Sequence, residues 1–167
     1  MKAVFNENAP RGHYSPGMIC GNILYVSGQT SADPATGFPA EGGFEAEMKM
    51  ALDKMESVLL SAGCERSSVV MCRIYLPSME LWNPANRVYS EFFGEHKPAR
   101  IVLPVGTLNK NCQVELEAIA EISNAEYLRS YYSLYHALFM TVSCSAFRNT
   151  SYSSGVRSFE ELITTRL

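Results

Sequence analysis

The chain has no run of the roughly 18 apolar residues that a helix needs to cross a bilayer, so no segment reads as a membrane span. Basic residues are in the minority, 14 lysines and arginines against 17 acidic residues, for a net charge of −3. Surfaces that bind nucleic acid are normally basic, which makes nucleic acid an unfavourable partner. A small anion held by one or two local cations stays open. The three histidines, His13, His96 and His136, are scattered, and neither H-x-x-x-H nor C-x-x-C spacing occurs. No metal site is therefore expected. There is no P-loop, G-x-G-x-x-G, G-x-S-x-G or internal repeat. No apolar run follows Lys2, so the N-terminus does not read as a secretory signal. The five cysteines, Cys20, Cys64, Cys72, Cys112 and Cys144, are odd in number and irregular in spacing. They read as reduced thiols of a cytoplasmic protein.

What is present points to one domain over residues 1–123, followed by an extension over 124–167. Ile23 to Ser27 reads as a strand and Asp33-Pro-Ala-Thr-Gly37 as a turn. Phe44, Met48, Ala51, Leu52, Met55, Val58 and Leu59 recur at helical spacing, so a helix is expected over Phe44–Ala62, with Gly63 at its C-cap. Val69–Tyr75 is a strand. A second helix is expected over Pro84–Phe93, with Asn83 as cap and Gly94 as terminator. Ile101–Val105 and Val114–Ile122 read as strands joined by the polar turn Asn109-Lys-Asn111. Two helices and several strands suggest an α+β layer, with both helices on one sheet face.

Strand alternation divides the side chains between the two faces. Val114, Leu116, Ala118, Ala120 and Ile122 should pack under the helices, leaving Glu115 and Glu117 on the other side. The same rule, applied to the preceding strand, sends Ile101, Leu103 and Val105 to the helices and Arg100 and Val102 to the open face. A cation and two carboxylates would then share that face. It is either a solvated surface with a salt bridge, which contributes about 0–1 kcal/mol, or a surface covered by oligomerisation that leaves a cleft around the arginine. The extension has an aromatic-rich stretch, Tyr127 to Phe139, that reads as a helix, followed by a Ser-rich segment around 149–155. It is either a loosely packed appendage or a cover for apolar surface.

Six segments in register carry a family resemblance: Asn8-Ala-Pro10 before Gly12-His-Tyr-Ser15, Val26-Ser-Gly-Gln29, Asp33-Pro-Ala-Thr-Gly37, Asn86-Arg-Val-Tyr89 with Phe92-Phe93, Pro98-Ala-Arg100, and Val114-Glu-Leu-Glu-Ala-Ile-Ala120. Together they resemble the RidA (YjgF) family over roughly residues 1–122. The resemblance implies a chorismate-mutase-like α+β fold and a homotrimer with a central barrel and ligand clefts between subunits. It implies hydrolysis of 2-imino acids and their enamine tautomers to 2-oxo acids and ammonia, without a cofactor. Alternatives are a non-catalytic small-molecule binder or regulator on the same scaffold, or the endoribonuclease or translation-inhibitor activity ascribed to some relatives.

By the same resemblance, Arg100 grips the substrate carboxylate, a task that suits a planar guanidinium fork. Glu115 orients or deprotonates the attacking water. Tyr14, Ser27, Asn86 and Val102 line the substrate site, Val102 through its backbone. Two departures stand out: Val102 replaces a cysteine common in the family, and Pro16-Gly17 follows Tyr14-Ser15 in place of the usual Q-A or Q-V.

Overall fold

In the computed structural model the described residues are 1–6 and 12–123. The motif Asn8-Ala-Pro10, the extension 124–167 with its expected helix, and Cys144 lie outside them. Six strands and two helices follow in the order β1 (Lys2–Val4), β2 (Gly17–Cys20), β3 (Ile23–Thr30), α1 (Phe44–Ser61), β4 (Val69–Leu76), α2 (Trp82–Phe93), β5 (Ala99–Pro104) and β6 (Glu115–Glu121). They build one mixed sheet of order β1-β2-β3-β6-β4-β5.

The apolar stripe of α1 makes the core. Met48, Ala51, Leu52, Met55, Val58 and Leu59 are fully buried, and pack with Leu24, Ile74, Leu116 and Ala120 from the sheet. Fully burying a side chain of this size is worth roughly 1.5–3 kcal/mol. The helix ends one residue earlier than expected, with Ala62 as its cap. Gly63 follows in the left-handed region, φ 76°. Its N–H donates to Leu60 O (3.0 Å), and the N–H of Cys64 donates to Leu59 O (2.9 Å), a Schellman closure.

α2 differs from expectation at its start. It begins at Trp82, directly after a short 3-10 turn at Met79–Leu81 that Ser78 caps by accepting from the Glu80 N–H. Asn83 therefore lies inside the first turn and caps nothing. Pro84 still sits where a missing N–H costs least.

The larger correction concerns β5. It is not the hairpin partner of β6 but an edge strand, parallel to β4, and β6 lies between β3 and β4. A strand-helix-strand segment such as β4-α2-β5 can return alongside itself only in parallel, because its crossover carries the chain back to the starting end. The stretch Asn109–Asn111, with positive φ at Lys110 and Asn111, is a turn in a longer connection.

The register of β5 also reverses its faces. Cys72 pairs with Arg100 and Ile74 with Val102, and paired residues point the same way. Cys72 and Ile74 are buried under the helices. Arg100 and Val102 therefore face the helix layer, while Ile101 and Leu103 stand on the open face, 41% and 44% exposed. The expectation that Arg100 shares a face with Glu115 and Glu117 within one chain is overturned. It assumed that the more apolar row of β5 packs on the helices. Here the apolar row points outward and joins Met18 and Tyr25, also exposed, on the side of the sheet that the helices leave uncovered.

Candidate functional site

The residues singled out from the sequence fall into two groups. The first surrounds an irregularity in β3. Val26 pairs with Ala118 and Gln29 with Leu116, so Ser27 and Gly28 occupy a register shift between them. Such bulges re-aim side chains. The N–H of Ser27 donates to Pro16 O (2.9 Å), and its hydroxyl donates to Ser15 O (2.8 Å). These two bonds staple the loop that carries Tyr14 to the bulge. Ser27 has thus spent its proton on the backbone and can offer a ligand only an acceptor.

Gly28 makes room for Glu115. A Cβ at position 28 would collide with Glu115 Oε1. Tyr14, Ser27, Gly28, Lys54, Glu115 and Glu117 line a groove of about 920 Å³, with Asp33, Asn109 and Lys110 also on its wall. The Tyr14 side chain is exposed.

Glu115 and Glu117 sit in different electrostatic settings. Burial pushes the Glu115 carboxyl above the usual range, the charge of Glu117 pushes it further, and Lys54 opposes both. Glu117 is committed to the sheet: its Oε1 accepts from Arg73 Nη1 (2.8 Å) and from the Tyr75 hydroxyl (3.0 Å). Burial, reinforced by Glu117, raises the Tyr75 phenol.

The second group lies where β5 meets α2. Arg100 is half-buried, and its Nη1 donates to Asn86 Oδ1 (2.9 Å). Its guanidinium carbon stands 4.9 Å from the Tyr89 ring centre and 5.8 Å from that of Trp82, within cation–π range. Among the described residues no carboxylate comes within ion-pair distance of it; the ion pairs found are Arg66–Glu56, Arg73–Glu117 and Arg87–Glu45. A guanidinium has five N–H donors. Asn86 takes one, so the fork is oriented without being neutralised. Beneath it, burial pushes the Cys72 thiol up to about 12, with Tyr89 and Arg100 offsetting part of the effect, and the thiol is protonated at neutral pH. Val102 packs half-buried against the core. Because β5 is an edge strand, main-chain groups on its outer side have no neighbour in the sheet. Arg100, Asn86 and Val102 are not among the residues lining the Tyr14–Glu115 groove.

The architecture and the motifs together fit one family. Residues 5–122 match the family described as Endoribonuclease L-PSP, the YjgF/RidA proteins. The chain belongs to it. A RutC family protein of Pyrococcus horikoshii is 37% identical over 121 residues, covering 71% of this chain and 96% of the relative. The 2-iminobutanoate/2-iminopropanoate deaminase of Homo sapiens is 35% identical over 109 residues, 65% of this chain and 80% of that protein. The crystal structure of the YjgF gene product from E. coli matches with a TM-score of 0.67 at 31% identity, covering 72% of this chain and 98% of that one.

Three residues of this RidA-family chain escaped the sequence reading. Trp82, the single tryptophan, forms part of the shelf beside Arg100. Glu47 and Lys54 lie on the core-facing side of α1. The signal for both was in the helical pattern: Glu47, Ala51, Lys54 and Val58 fall at i, i+4, i+7 and i+11, a single row that contains two charges.

Among the described residues no helix is long and apolar enough to cross a membrane.

Proposed function

We propose that this protein hydrolyses short-lived 2-imino acids and their enamine tautomers to 2-oxo acids and ammonia, in clefts between the subunits of a homotrimer. The observation that carries the proposal is Arg100: a half-buried guanidinium held by Asn86 over an aromatic shelf, with four N–H donors still uncommitted and no carboxylate partner among the described residues. Such a fork suits a ligand carboxylate, which it can bind through two parallel charge-assisted bonds. The deaminase name of relatives at about 35% identity supports the chemistry.

The two groups of residues supply complementary halves. Arg100 and the free edge of β5 bind and orient the acid group. Tyr14, Ser27 and Glu115, contributed by the neighbouring subunit, surround the reacting carbon. Water adds across the C=N bond as Glu115 takes its proton. That proton passes to nitrogen to give a carbinolamine; its hydroxyl proton then moves to nitrogen by way of Glu115 as the C–N bond breaks and the C=O bond forms, releasing ammonia and a 2-oxo acid. The outward apolar row of β5, with Met18 and Tyr25, suits burial against the neighbouring sheets around a central barrel.

Within the groove the carboxylates Asp33, Glu115 and Glu117 outnumber the lysines Lys54 and Lys110. That balance favours a small substrate over an RNA backbone, which needs cations along its path.

The test is 2-iminobutyrate consumption, with the imine generated in situ by an amino-acid oxidase, in the wild type and Arg100→Ala. Loss of turnover with the oligomer intact by light scattering is expected. Near-wild-type turnover in the variant would overturn the assignment. A wild type that binds 2-oxobutyrate through Arg100 without turning over imine would make the protein a ligand sensor instead.

A further inference from the structure

A charge placed on the core-facing row of a helix is costly unless it is given partners. The two on α1 have them. Glu47 is 4% exposed; its Oε2 accepts from Ser31 Oγ and from the Gln113 N–H (2.8 Å), and its Oε1 accepts from Gln113 Nε2 (2.8 Å). Lys54, two turns on, donates from Nζ to Thr30 O (2.8 Å) and to Ala32 O (3.1 Å). Thr30 is the residue directly across from Glu115 in the β3–β6 pairing, and Gln113 lies two residues before Glu115. The row therefore pins both segments that flank Glu115.

Lys54 behaves unlike a surface lysine. Long cationic side chains usually run along apolar surface and release the ammonium into water. This one turns to the end of β3 and lines the same groove as Glu115. An ammonium has three N–H donors. Two go to the carbonyls of Thr30 and Ala32, leaving one for the groove. Burial lowers the Lys54 pKa, while the charges of Cys112, Glu115 and Asp33 act to raise it.

The charged and titratable groups around Glu115 and Lys54 come from several elements. They are Glu117 on the strand of Glu115, Tyr75 across from Glu115 and Arg73 across from Glu117 on β4, Tyr14, Asp33 and Lys110 from the loops along the groove, and buried Cys112, which acts on Lys54. Arg73 is spent on Glu117 at 2.8 Å. Lys110 lies 6.0 Å from the Phe38 ring centre, at the rim. Lys54 is the cation fixed from beneath.

We propose that Lys54 is a positioning residue for Glu115, clamped to the end of β3 so that it presents a fixed positive charge to that carboxylate. Its charge offsets part of the upward push that burial and Glu117 exert on that carboxylate, which favours the ionised form that can take a proton from water. This inference rests on the reading of Glu115 as the base.

The test combines two measurements on the full chain. The first is the 13Cδ NMR titration of Glu115, assigned by its disappearance in Glu115→Gln. The second is the pH profile of kcat/KM toward 2-iminobutyrate. Wild type is compared with Lys54→Gln, Lys54→Met and Lys54→Arg; methionine keeps the apolar stem should glutamine disturb folding. The Glu115 midpoint and the acid limb of the profile are expected to move together to higher pH in the neutral variants and to return toward wild type in Lys54→Arg. An unchanged Glu115 midpoint in a folded neutral variant overturns the role of Lys54. A wild type without imine turnover instead overturns the enzymatic reading, and the titration still decides whether Lys54 acts on Glu115.

Discussion

The groove at Glu115 and the edge at Arg100 are built in opposite ways. Around Glu115 several polar groups are already engaged: Ser27 with Ser15, Glu117 with Arg73 and Tyr75, Lys54 with Thr30 and Ala32. The carboxylates of the groove outnumber its lysines. At the edge, among the described residues, Arg100 is aimed by a single side-chain hydrogen bond and two rings, with most of its donors uncommitted. On the proposed reading, the first region handles the protons and the second holds the acid group of a 2-imino acid, and within one chain the two sit on opposite sides of the sheet.

The sharpest way to break this comparison is to separate the halves genetically. Arg100→Ala alone should lower kcat/KM by about 30- to 5,000-fold, since removing one partner of a desolvated charge pair costs about 2–5 kcal/mol. Arg100→Lys should recover little, because lysine lacks the fork. When Arg100→Ala and Glu115→Gln subunits are unfolded together and refolded as mixed oligomers, activity should reappear at about a quarter of the wild-type level. One cleft in four then draws its arginine and its glutamate from intact sources if the two come from different subunits. No recovery would mean that each chain supplies both.

A loss of the same order is expected from Glu115→Gln. Turnover should fall by about 10²- to 10⁴-fold, the usual worth of general base catalysis. The pH dependence sharpens the point. The base must be ionised, and burial with Glu117 holds Glu115 above the ordinary carboxylate range. Wild-type kcat/KM should therefore rise with pH through a midpoint higher than that of a free glutamate, and this limb should vanish in the variant.

The outward row of β5 can be tested without any substrate. Ile101→Asp and Leu103→Asp place charges on the exposed apolar face and should shift the oligomer toward monomer in light scattering, with far-UV circular dichroism retained. The smallest effect belongs to a position remote from both regions: Gly63→Ala, at φ 76°, should destabilise the chain by about 1 kcal/mol in urea unfolding, the cost of forcing an L side chain into the left-handed region.

The sequence was legible where structure is local. The α1 stripe and the alternation of β6 are set by neighbours within a few residues and are found as expected, and the glycine that ends α1 stands one position beyond the cap. The faces of β5 were not legible in the same way. Its pattern offers an apolar row, Ile101 and Leu103, and a mixed row, Arg100 and Val102. Choosing the apolar row for the core holds only when one sheet face meets protein. The strand-helix-strand order did contain the correction, because it demands a parallel partner, and the register with Cys72 and Ile74 then fixes the faces. Glu47 and Lys54 were hidden for a related reason. Apolar periodicity averages over a stripe, and two charges within it register as noise until their partners in Gln113, Thr30 and Ala32 are known.

The missing methyl at position 28 has a reach beyond its own residue. Because the Glu115 carboxylate occupies the volume a side chain would need, the two positions are not free to vary independently. An alanine at 28 would push the end of the Glu115 side chain into another rotamer, away from the place it now holds beside the glycine. The gap therefore sets where the carboxylate stands, and a chain that fills it moves the acid in the same step.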